Sequence, residues 1–106
     1  MKHLILAALV FVSFSAKAGE AEEIEAAKQS IVASMKDPES AQFRNLVVIE
    51  KQGKRVVCGE VNAKNAFGGY VGFRQFYSVP EVGLSRVKQN DPIMDRMVDI
   101  ACRPPG

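Results

Sequence analysis

Apolar residues between Glu20 and Lys36 recur at Ile24, Ala27, Ile31 and Met35, with Val32 widening the stripe, and this spacing predicts an amphipathic helix. Glu20, Glu22, Glu23 and Glu25 crowd its expected first turns, where negative charge suits the helix dipole, and Lys36 stands at the other end. Pro38 disfavours helical geometry at Asp37 and sets the expected stop. Glu39 to Phe43 is expected to add one further turn that tucks Phe43 inward. The run Leu46-Val47-Val48-Ile49 predicts a strand, and Gln52-Gly53-Lys54 a tight turn. Arg55 to Ala63 alternates, with Val57, Val61 and Ala63 on one side and Val56 and Cys58 on the other.

A third strand is expected from Tyr70 to Val79, with Val71, Phe73, Tyr77 and Val79 sharing a face and Pro80 ending it. Glu81 to Asn90 has no clear period and reads as a loop. Asp91 and Pro92 then form a helix start, a capping carboxylate followed by proline at the first helical position. Ile93, Met97, Ile100 and Ala101 give the apolar stripe of this second helix. The expected architecture is α+β: an N-terminal helix, a three-stranded antiparallel sheet and a C-terminal helix.

The N-terminus changes how much of the chain this domain uses. Lys2 and His3 precede an apolar run from Leu4 to Phe14, and Ala16-Lys17-Ala18 supplies small residues for signal-peptide cleavage. That run is far shorter than the roughly 20 apolar residues of a spanning helix, so no stable membrane anchor is expected. Cleavage near Ala18 would leave residues 19–106 as one small domain in the periplasm or outside the cell. Of 14 Lys and Arg against 12 Asp and Glu, Lys2 and Lys17 leave with the signal, so the mature chain is formally neutral. A neutral domain offers no clustered cations for counterion release, and no nucleic-acid partner is expected. Two cysteines in an exported domain, Cys58 and Cys102, predict a disulfide.

The single histidine, His3, also belongs to the signal. Histidine-based nucleophilic mechanisms and histidine metal ligation are therefore not expected in the mature chain. Asp91, Asp95 and Asp99 recur every fourth residue as an acidic helix ridge, unlike the ligand spacing of a calcium loop. Gly68-Gly69 lacks the frame of a phosphate-binding loop. No metal, no cofactor and no catalytic residue is assigned.

The stretch from Val57 to Tyr70 is the densest in chemistry. Glu60 shares the pleat face of Cys58 and is expected to pair with Arg44, Arg74 or Lys64 at a buried boundary. Asn62, Asn65, Gly68 and Gly69 read as a turn frame. Phe67, Tyr70, Phe73, Phe76 and Tyr77 fall close together. Phe73 and Tyr77 are expected in the core. Phe67, Tyr70 and Phe76, with Arg74 beside them, are expected to form an exposed partner-binding rim, since rigid rings among small polar residues resemble binding loops.

The blocks Lys36-Asp37-Pro38-Glu39-Ser40-Ala41-Gln42-Phe43-Arg44-Asn45 and Val57 to Phe73 resemble those of a family of small exported bacterial and prophage-encoded proteins. Its members share KDPxSAxFRN and CGxVNAKNxFGGYxGF. The resemblance implies an envelope location and assigns no activity. The expected function is an exported binding or inhibitor module, of immunity type, that meets an envelope protein through the aromatic loop. One alternative is an accessory subunit of an envelope or phage-related assembly, touching its partner through Ile24, Ile31 and Met35. A second is a small hydrolase using the Glu60 carboxylate.

Overall fold

The computed structural model describes residues 15–104, so most of the export signal expected over residues 1–18 lies outside the described residues. Helix α1 (Ser15–Val32) leads through a 3₁₀ turn (Pro38–Ser40) into strands β1 (Gln42–Lys51) and β2 (Lys54–Asn62). A long loop precedes β3 (Arg74–Val79); a second 3₁₀ turn (Pro80–Val82) joins it to β4 (Leu84–Val87), and helix α2 (Pro92–Ala101) follows. The strands form one antiparallel sheet in the order β1-β2-β3-β4.

The α+β class holds, with four strands in place of three. β4 lies within the stretch expected to be a loop. It is only four residues long, too short to show a period, and Gly83 at φ 68° makes the left-handed turn that brings it back onto β3. At the other end of the sheet, Gln52 and Gly53 both take positive φ, joining β1 and β2 through the two-residue turn that matches strand twist.

Successive strand side chains point to opposite faces, and here both faces are covered. Val57, Val61 and Phe76 pack under Ala27 and Ile31 of α1, with Phe43, Leu46 and Val48 around them. Val56, Cys58, Tyr77 and Val79 pack on the other face beneath Val98 of α2. Phe43 is part of β1 rather than of an extra helical turn, and its ring meets Phe76 edge-on at 5.7 Å. Gly59 is placed by the same packing. A methyl group there would stand 2.5 Å from Leu46 Cδ2 and 3.3 Å from the Phe76 ring.

α1 starts five residues and ends four residues before its expected bounds and includes the expected cleavage point after Ala18. It ends at Val32, where the Ser34 hydroxyl and amide both donate to the Ile31 carbonyl. Its acids consequently sit past the first turn, and Glu23 reaches the sheet instead, bonding Arg55 at 2.8 Å. Ser30 on α1, Ser85 on β4 and the fully buried Ser78 on β3 form a hydroxyl chain at 2.7 and 2.8 Å. With Ser85 donating to Ser78, Ser30 supplies the proton to Ser85, so the chain satisfies the buried hydroxyl and fixes α1 against β4.

α2 starts as expected, with Asp91 Oδ1 accepting from the amides of Ile93 and Met94. Its rotation differs. Val98 is the buried residue, whereas Ile93 is 73% exposed and Met97 and Ile100 are close to half exposed. The cause is the Cys58–Cys102 disulfide, with Cα atoms 5.9 Å apart. Val98 and Cys102 are four residues apart on one helix face, so the bond turns that face inward; Ala101 of the expected stripe still packs on the core, while Ile93, Met97 and Ile100 turn outward.

Closing a separation of 44 residues stabilises the chain by about 4 kcal/mol in the chain-entropy treatment. Urea unfolding with and without reductant should show a loss near that size. Gly59→Ala should cost about 1–3 kcal/mol, because Leu46 and Phe76 must both shift. A variant that melts with the wild type would show the pocket above Gly59 to be looser than this packing requires.

Candidate functional site

β2 carries its alternation straight into the loop that leads to β3. Ala63 is still buried, Lys64 bridges to Tyr70, and the chain turns over between them. Asn65 builds the turn. Its side-chain Oδ1 accepts from the amides of Phe67 and Gly69 at 2.9 and 3.2 Å. Its backbone amide donates to the Gly69 carbonyl, and its carbonyl accepts from the Gly68 amide. Gly68 sits at φ 84°, a left-handed conformation that disfavours side chains. Asn62 Oδ1 accepts from the Gly72 amide at 2.9 Å and closes the loop base.

Ser40 ties this loop to the turn after α1. Its hydroxyl accepts from the Lys64 amide at 2.8 Å, and its carbonyl accepts from the Tyr70 hydroxyl at 3.1 Å. Lys64 Nζ lies 5.6 Å from the centre of the Tyr70 ring, within cation–π range. Phe67 stands at the tip, 95% exposed, on a backbone held by these bonds. Tyr70 is 45% exposed and Val71 is similar, so both add apolar surface beside it.

Glu60 lies one strand step below the loop. A bulge in β1 between Arg44 and Val47, with Asn45 at φ 56°, aims two neighbouring side chains at the same carboxylate. Arg44 Nε donates to Glu60 Oε1 at 2.8 Å and Asn45 Nδ2 at 2.7 Å. The Arg44 bond, then the Asn45 bond, hold the Glu60 carboxyl below its ordinary range against a smaller desolvation effect. The Arg44 guanidinium also stacks 3.8 Å from the centre of the half-buried Phe73 ring. Of the three cations expected near Glu60, Arg44 is its partner.

Known proteins add no assignment. Comparison with protein-family models, curated proteins and solved structures finds no match to this chain.

The expected rim is therefore only partly assembled. Phe67 and Tyr70 come together on the loop. Phe76 does not join them: it is fully buried under α1, which covers its face of the sheet. Arg74 shares its pleat face, is partly buried, and donates from Nη1 to the Lys88 carbonyl. Ser40 was missed as a loop anchor, although its place after a proline turn was visible; nothing in the sequence paired it with Tyr70. The acidic ridge is dispersed: Asp91 caps α2, Asp95 accepts from the Gln89 amide, and Asp99 pairs with Lys88 at 2.7 Å. Among the described residues no three His, Cys, Asp or Glu side chains converge as a metal site, and no helix is long and apolar enough to cross a membrane. The disulfide points to an oxidising, extracytoplasmic environment.

Because its folded pKa is lowered, Glu60 contributes stability that is present above the unfolded carboxylate range and lost as pH falls through the folded value. Glu60→Gln should be less stable than wild type near neutrality, and the two should converge in acid. Thermal unfolding across pH tests this; a gap that stays constant into acid would remove the pairing as its cause.

Proposed function

We propose that this chain is an exported binding or inhibitor module of the bacterial envelope, and that it contacts a partner protein through the β2–β3 loop. The observation that carries the reading is Phe67, an almost fully exposed aromatic on a loop held by its own hydrogen bonds. Such a tip loses little conformational freedom on binding, which is how a small contact gains affinity. Tyr70 and Val71 widen the contact; Arg74 and Phe76, expected to share in it, are left out by their positions. Delivery by a signal peptide cleaved near Ala18, and a periplasmic address, belong to the same proposal. They draw support from the disulfide and from the apolar N-terminal run. The resemblance to exported bacterial and prophage-encoded proteins is consistent with that address.

A second reading, an accessory subunit of an envelope or phage-related assembly, moves to a different surface. Ile24, Ile31 and Met35 pack on the core and cannot serve as its contact. The exposed stripe Ile93, Met97 and Ile100 on α2 can. The hydrolase reading loses support, because Glu60 is occupied by Arg44 and Asn45.

A photo-crosslinking residue placed at position 67 or at position 97 separates the two contacts in periplasm. The loop reading expects one defined adduct from position 67. It also expects Phe67→Ala to weaken binding of that partner by about tenfold or more, as for an interface anchor. Adducts from position 97 alone, or undiminished binding by Phe67→Ala, would favour the α2 contact.

A further inference from the structure

α1 ends at Val32, before the last residues of its sheet face. Beyond Val32 the chain runs as irregular turns, and beside Met35 a groove of about 320 Å³ opens onto the sheet. Its apolar lining is the exposed Val71 in the loop with the partly buried Met35 and Val87, over a floor of the buried Val61 and Ala63. Three cations, Lys36, Lys64 and Arg74, stand around this lining, and no Asp or Glu side chain is among the groove residues. Four cations elsewhere are neutralised: Arg44 by Glu60, Arg55 by Glu23, Lys28 by Glu25, Lys88 by Asp99. Among the described residues none of the three groove cations has an ion-pair partner. Arg74 spends one Nη on the Lys88 carbonyl, and Lys64 Nζ faces the Tyr70 ring.

We propose that this groove binds a small apolar carboxylate, a medium-chain alkanoate being the simplest of that class. Two features of the groove select the two halves of such a ligand. Val71, Val87 and Met35 take the hydrocarbon, which leaves water on binding. The carboxylate is offered Lys36, Lys64 and Arg74 along a groove lined by no acid, and an arginine fork suits carboxylate geometry. The volume lies at the small end of ligand sites, about 300–1,000 Å³, which fits a small molecule better than a peptide segment. Val71 borders both surfaces, but Phe67, on which the loop contact rests, is not among the lining residues, so the failure of either proposal leaves the other standing.

The test is a methyl and amide NMR titration of the oxidised chain with sodium octanoate, set against octan-1-ol. Octanoate should give saturable shifts centred on Val61, Ala63, Val71 and Val87, and octanol should bind about tenfold more weakly. Lys64→Gln and Arg74→Gln should each weaken octanoate about three- to tenfold while leaving octanol unchanged. Because Arg74→Gln also removes the bond to Lys88, the exposed Lys36→Gln serves as a variant whose folding is not in question. Equal binding of octanol and octanoate would overturn the proposal, as would an absence of saturable shifts up to about 10 mM. Shifts centred on the α2 stripe, or binding of an acidic peptide where octanoate fails, would overturn it too.

Discussion

The Cys58–Cys102 bond is the constraint on which the rest of this architecture depends. It joins the middle of β2 to the end of α2, and so decides that the sheet is covered on both faces. Without it, α2 would be held chiefly by Val98, whose burial is worth about 1.5–3 kcal/mol, less than the bond itself supplies. The bond also sets the rotation of α2 and thereby which apolar side chains meet water. A domain of this size has little core to spare, and here one covalent link takes the place of a second helix's worth of packing.

From β2 outward, each side chain is assigned by its face. Val57 and Val61 face α1, Cys58 faces α2, and Gly59 is small because Leu46 and Phe76 already occupy the space above it. The sequence blocks from Lys36 to Asn45 and from Val57 to Phe73 then prove to be one structural unit. Ser40 holds Lys64 and Tyr70, Arg44 holds Glu60 and lies on Phe73, and Asn45 completes the Glu60 cage. The strain of a left-handed Asn45 is offset where it occurs, by the bond its side chain makes.

What could be read from the sequence follows from the range over which each signal acts. Local signals survived: the Asp91-Pro92 helix start, the Gln52-Gly53 turn, the stripe Ile24, Ala27 and Ile31, and the Asn65 turn frame. Signals that depend on what covers a surface did not. Phe76 reads as part of the aromatic rim but is covered by α1, and Ile93, Met97 and Ile100 read as an inward stripe but face water, because Cys102, beside that stripe, sets the rotation of α2. β4 is created by its pairing with β3 and carries no pattern of its own.

The same reasoning isolates the residue that the fold leaves unexplained. In the stretch from Val57 to Tyr70, the bonds that shape the turn use the side chain of Asn65, the backbone of Phe67, and a glycine at Gly68. None of them uses the Phe67 ring. A polar side chain at that position would make the same turn and leave less apolar surface in water. Tyr70 by contrast has a structural task, its hydroxyl bonding Ser40. An aromatic ring that no internal contact requires, on a frame that keeps it from folding back, is a feature for which packing offers no account. The proposed contact therefore rests on Phe67 first, with Tyr70 serving both the frame and the surface.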